Sequence, residues 1–237
     1  MALKPALLIA EPVVGHYKKV INQLKIFIDE LNSSLSTNYE LVETIFSSEY
    51  GYPEFDPLRD EICKCLICGL NQAAITLTNH LLEDVLKKCL IYQHTIQTKQ
   101  NTNEKLSELF QEGINKFDND KSDLSKSINA ACSNGLIIKE HKKLLHHFRE
   151  SFRNSYSHAS SSKIFKDVTV KGKEISSFDE ASGELNETFD VSQIPIIQGI
   201  IQYKLAKKES VSYFKNVDAI IRHMIDKLKN TNNEKDI

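Results

Sequence analysis

Glycine and proline are scarce, at 8 and 5 of 237 residues. So few turn-formers leave little room for the tight connections of a β sandwich or barrel and favour long helices. Arginine is scarcer still: Arg59, Arg149, Arg153 and Arg222 are the only four, and lysine supplies the remaining basic charge. Each guanidinium therefore draws interest, because only arginine offers the planar fork that grips phosphate bidentately. Neither sign of charge is in excess, with 30 Lys and Arg against 32 Asp and Glu and a net charge of −2. That excludes a broadly basic nucleic-acid coat and leaves any such contact to a local patch. No apolar run approaches the ~18 residues of a membrane span. The stretch Ala6-Leu7-Leu8-Ile9-Ala10 is too short for a secretion signal and runs into Glu11 and Pro12, so no targeting segment and no membrane contact is expected. Neither a Walker A loop nor a glycine-rich dinucleotide turn is present, which argues against nucleotide hydrolysis.

What is there fits a soluble globular chain, with 41% apolar and 26% charged residues and length enough for one large domain or a domain with an appendage. The five cysteines are odd in number, and four lie in helix-like sequence, so reduced thiols and a cytoplasmic setting are expected. Cys63-x-Cys65-x-x-Cys68 invites a metal reading. On a helix, however, Cys63 points about 200° from Cys65, and no nearby ligand completes four. Core packing is the expectation, with no metal and no cofactor.

Along the chain, His16 to Leu35 predicts an amphipathic helix with Val20, Ile21, Leu24, Ile28 and Leu31 on one stripe. Leu41 to Phe46 is ambiguous between strand and helix. The loop Ser47 to Pro57 suggests a division into an N-terminal helical appendage, 1–57, and a helical bundle, 58–230. Leu58 to Gln97 is helical by pattern, either divided or merely weakened at Gly69. Helices follow over Glu104–Phe117, over Leu124–Ala131 with Gly135 as a C-terminal stop, and from Lys139 to at least Arg153. Within the irregular insertion, 160–193, Val168-Thr169-Val170 and Glu174-Ile175 suggest a small hairpin around Lys171-Gly172-Lys173. One or two helices close the chain over Ile194–Lys207 and Ser210–Lys229, before a flexible tail, 231–237. The expected fold class is all-α, an up-and-down helical bundle with a small β-hairpin insertion.

The most informative stretch is His146-His147-Phe148-Arg149-Glu150-Ser151-Phe152-Arg153-Asn154-Ser155-Tyr156-Ser157-His158. Leu144, Leu145, Phe148, Phe152, Tyr156 and Ala159 form its apolar stripe. On an uninterrupted α-helix Arg153 and His158 fall about 140° apart, on opposite flanks of that stripe. A joint site therefore needs the helix to break near Asn154, or two copies to pool their side chains. Asn154 and His158, four apart, share a face. The bland alternative is a capped helix end, with arginine on the surface and histidine bonded to a carbonyl.

At these residues the chain resembles the HEPN family (higher eukaryote and prokaryote nucleotide-binding domains), whose signature is Arg, four to six residues, then His. Arg153 and His158 fit with four between, and polar Asn154 follows the arginine. Gln72-Ala73-Ala74-Ile75-Thr76 through Leu81-Leu82-Glu83 resembles the family's first core helix, and Leu124–Ala131 with Asn134-Gly135-Leu136-Ile137 resembles the helix and turn before the motif. The resemblance covers roughly 58–159. It implies a helical bundle that forms a homodimer and places two motifs at a shared cleft. It further implies metal-independent endoribonuclease activity in bacterial defence or a toxin–antitoxin system, with an antitoxin or defence protein as a possible partner. RNA would be the substrate, His158 the general acid/base, Arg153 the phosphate stabiliser and Asn154 an orienter. Arg149, Glu83, His146 and Lys142 are weaker, substrate-binding candidates. The sequence departs from one branch: members silenced by a minimal nucleotidyltransferase carry Tyr two residues after the histidine, where this chain has Ser160. The competing expectation is a non-catalytic helical module of the same fold that binds protein or RNA.

Overall fold

Helices dominate, as the shortage of turn-formers predicts. The computed structural model describes residues 10–119, 123–153, 169–171, 188–190 and 195–233. Its helices are α1 (Ala10–Phe46), α2 (Asp56–Ile67), α3 (Asn71–Lys99), α4 (Leu106–Phe117), α5 (Leu124–Ser133), α6 (Lys139–Phe148) and α7 (Pro195–Asn233). A π turn, Arg149–Arg153, follows α6 directly. Two three-residue strands, β1 (Thr169–Lys171) and β2 (Thr188–Asp190), pair antiparallel with Val170 opposite Phe189. The expected return strand, Glu174-Ile175, lies outside the described residues.

Three of the boundaries have a clear local cause. Gly69 does divide its stretch. It takes φ +75°, and the amides of Gly69 and Leu70 donate back to the carbonyls of Leu66 and Cys65 at 3.1 and 2.8 Å. This is the double closure that a left-handed glycine permits at a helix C-terminus. Gly135 repeats the device after α5, where the Gly135 and Leu136 amides reach the carbonyls of Cys132 and Ala131. Asp123 caps the other end of α5 by accepting from the Lys126 amide at 2.8 Å. Helix α1 runs unbroken through the ambiguous 41–46 stretch, and a single helix, α7, closes the fold. Because α7 continues to Asn233, the start of the expected tail is helical.

The core forms around α3, which packs against α2, α4, α5, α7 and the π turn. Ile75, Leu82, Val85, Leu86 and Cys89 of α3 are buried with Ile62 and Leu66 of α2, Ile128 of α5, and Phe214, Val217 and Ile221 of α7. Val42, Ile45, Tyr50 and Phe55 precede the loop end at 57 yet are buried in this same cluster. The C-terminal part of α1 and the loop after it therefore belong to the bundle's core. Among the described residues, no helix is long and apolar enough to cross a membrane.

Candidate active site

The segment that leads into Arg153 is held by aromatic packing. Phe148 ends α6 and meets the Tyr213 ring edge-on at 4.9 Å between centroids, while Phe152 in the π turn stacks on the same ring at 4.3 Å. Tyr213, on α7, donates its hydroxyl to Asn79 Oδ1 of α3 at 2.7 Å, and both residues are buried. One ring thus fixes the π turn against the two central helices. The α-helical register ends at Phe148, before the motif begins. Residues with π geometry recur at functional sites because the inserted register re-aims the side chains that follow.

Of the seven residues singled out above, Lys142, His146 and Arg149 come together on one flank of α6 and the π turn. His146 Nε2 lies 3.3 Å from Asn129 Oδ1 on α5. Partial burial, then the nearby charges of Arg149 and Lys142, hold the His146 imidazole below its ordinary value of 6.5. Arg149 reaches Glu150 Oε1 with Nη2 at 3.5 Å, while its Nε is buried with no partner. Glu83 is engaged on another seam: it pairs with Lys87 at 3.6 Å, and Lys87 also holds Asp118, the residue that ends α4, at 2.9 Å. The backbone of Arg153 completes the π turn. Asn154 and His158 lie outside the described residues.

The histidines clustered in sequence separate in space. His146 faces α5, whereas His141 meets His223 of α7, ring edge to ring face at 4.9 Å. His141 Nδ1 and His223 Nε2 are both buried without a partner. Burial and the neighbouring His223 push the His141 pKa down. Among the described residues no group of three or more His, Cys, Asp or Glu side chains is placed to hold a metal ion. All five cysteines are free. Burial raises the Cys63 thiol to about 11 and the Cys89 thiol to about 12, which makes both inert packing groups.

Sequence reasoning did not find the polar cluster around Asp218. Its carboxylate accepts from Arg59 Nε at 3.2 Å, Tyr50 Oη at 2.7 Å and Arg222 Nε at 2.8 Å. The two guanidinium carbons also lie 5.0 and 5.1 Å from the Tyr50 ring centroid. Burial and the adjacent carboxylate keep the Tyr50 phenol protonated far above its usual range. The scarcity of arginine was the available signal. Two of the four guanidiniums, Arg59 and Arg222, are committed to this structural cluster; of the other two arginines, Arg149 lies beside the motif in sequence and Arg153 opens it. Asn129, the partner of His146, carried no sequence signal. A groove of about 460 Å³ lined by Tyr52, Tyr92, Ile96, Lys99 and Phe110 holds none of the expected site residues.

No family model, curated protein or solved structure matches the chain.

Proposed function

We propose that this chain is a metal-independent endoribonuclease of the HEPN type, built on a HEPN-like bundle and acting as a homodimer in the cytoplasm. The observation that carries the reading is the Arg153-Asn154-Ser155-Tyr156-Ser157-His158 motif at the exit of a π turn, beside a flank that already gathers Lys142, His146 and Arg149. In the reaction, the ribose 2′-oxygen attacks the adjacent phosphorus and loses its proton to a base. The bond to the 5′-oxygen breaks, and that oxygen takes a proton from an acid. The products carry a 2′,3′-cyclic phosphate and a 5′-hydroxyl. His158 moves protons near neutral pH, as an imidazole does. Arg153 neutralises charge that grows on the phosphoryl oxygens, and Asn154 orients the imidazole. Lys142 and Arg149 hold the flanking RNA backbone by charge, and His146 lines the same flank. Glu83, which also pairs with Lys87, is a weaker substrate-binding candidate. A role in defence or in a toxin–antitoxin pair, with an antitoxin or defence protein as partner, follows from the same resemblance.

The test is cleavage of single-stranded RNA by the purified chain in EDTA, beside DNA of the same sequence. Cleavage of RNA alone is expected, because DNA lacks the internal nucleophile. Cleavage that needs a divalent ion, or that extends to DNA, contradicts the proposal. A second reading, a non-catalytic binding module, is favoured by one observation: the exposed apolar face of α1.

A further inference from the structure

The groove of about 460 Å³ between the C-terminal half of α3 and α4 holds none of the motif residues, yet it is built. Tyr92, Thr95, Ile96 and Lys99 recur at three-and-four spacing, so one face of α3 forms one wall. Leu106 and Phe110, four apart on α4, supply another, and Tyr52 joins from the loop after α1. The aromatic walls are braced. Tyr92 meets Phe110 edge-on at 6.1 Å between centroids, and Tyr52 stacks at 5.8 Å on Phe55, which is fully buried. Clefts of about 300–1,000 Å³, mostly apolar and aromatic with a few placed polar groups, are what small ligands occupy.

Two polar groups define what fits. Thr95 is 2% exposed, and its hydroxyl is buried with no partner among the described residues. A buried hydroxyl left unbonded costs free energy that an acceptor on a ligand recovers. Lys99 is the one charged side chain among the described residues that line the groove, and it is exposed at the rim. Its ammonium donates to the Glu104 carbonyl at 2.7 Å, one of the three hydrogen bonds it can give, and that bond holds it in place. Tyr92 adds no charge: burial first, then the bond its hydroxyl donates to Glu54, keep the phenol protonated well above its ordinary range. We propose that this groove binds a small planar aromatic molecule carrying a single carboxylate. The ring lies among Tyr52, Tyr92 and Phe110, whose faces and edges suit another flat ring. Thr95 and Lys99 stand one turn apart on the same face of α3, so the two oxygens of one carboxylate reach both, the Lys99 bond being charge-assisted. With one lining cation the match is to a monoanion. This site is separate from the motif segment and does not rest on the ribonuclease reading.

The test is calorimetric titration of the full chain with 2-naphthoate, beside 2-naphthamide and cyclohexanecarboxylate. Naphthoate should bind saturably with a dissociation constant below about 1 mM. The amide, which lacks the charge, and cyclohexanecarboxylate, which lacks the flat ring, should each bind at least about tenfold more weakly. Lys99→Gln should weaken naphthoate by about tenfold and leave the amide unchanged. Thr95→Val should also weaken naphthoate while the fold holds, because it removes a hydroxyl that no described residue bonds. Leu106→Glu, at a position 53% exposed, should repel naphthoate without moving the melting curve. No saturable naphthoate binding below about 1 mM overturns the site. Binding that ignores both Lys99→Gln and Leu106→Glu puts the probe elsewhere on the chain and overturns it as well. An amide bound as tightly as naphthoate overturns the carboxylate, and cyclohexanecarboxylate bound as tightly overturns the aromatic ring.

Discussion

Arg59 Nε donates to Asp218 Oδ1 at 3.2 Å where neither side chain meets water, their side-chain exposures being 2% and 6%. The pair ties α2 to α7, and Tyr50 and Arg222 complete it from the loop after α1 and from the next turn of α7. Arg222 then reaches out to the Ser48 carbonyl. A buried ion pair adds little net stability, because desolvation offsets attraction, but removal of one member strands the other. Arg59 already has one buried nitrogen, Nη2, without a partner.

Asp218→Ala should therefore destabilise the fold by about 3–5 kcal/mol, since it leaves a buried guanidinium uncompensated. Tyr50→Phe, which removes one neutral donor to the same carboxylate, should cost about 1 kcal/mol. Urea unfolding of both variants checks the ranking. Equal losses would mean that the charge is not what the cluster protects.

Tyr213→Phe should cost about 1–3 kcal/mol, because it leaves the buried Asn79 Oδ1 without its donor. The phenylalanine ring preserves the stack with Phe152. Phe152→Ala removes that stack instead, so it should loosen the π turn and lower RNA cleavage more than Tyr213→Phe does. Parallel unfolding and cleavage measurements separate the two effects.

Gly69→Ala should destabilise by about 1–2 kcal/mol through the left-handed backbone alone. Crowding of Ser34 Oγ adds to this. Gly135→Ala shares the backbone strain but meets open space, so it should cost less. Thermal melts of the two variants test the order.

Acid should weaken the fold before carboxylates titrate. His141 and His146 both have folded-state pKa values below the ordinary 6.5. Between those values the unfolded chain binds more protons than the folded one, so stability rises with pH in that window. It is complete above 6.5 and falls as pH drops through the unfolded value toward the depressed folded values. Denaturant midpoints from about pH 7.5 to about pH 5 should decline, and His141→Gln should flatten the slope. A flat wild-type profile would contradict this.

Much of the helical layout was legible from apolar spacing and from two glycines, Gly69 and Gly135, that occupy helix-ending positions. Continuity of α1 was not, because Asn32 to Tyr39 is polar and rich in serine and threonine, which favour turns over helix interiors. In the fold those side chains bond back to the preceding turn, Ser36 Oγ to Asn32 O and Thr37 Oγ1 to Ser33 O, each at 3.0 Å. The π turn was also invisible, since Phe148 and Phe152 keep the four-residue spacing of an ordinary helix. Arg59 and Asp218 stand 159 residues apart, and no local pattern pairs them. Of the candidate site, the grouping of Lys142, His146 and Arg149 was readable as neighbours on one helix flank. Asn129 was not, because it belongs to another helix.

The ribonuclease reading is tested most directly at the ends of the cut RNA. Products made by the wild-type chain in EDTA should carry 2′,3′-cyclic phosphate and 5′-hydroxyl termini, and both should vanish in His158→Ala and Arg153→Ala proteins whose melting curves match wild type. Undiminished cutting by either folded variant, or 5′-phosphate termini, would contradict it.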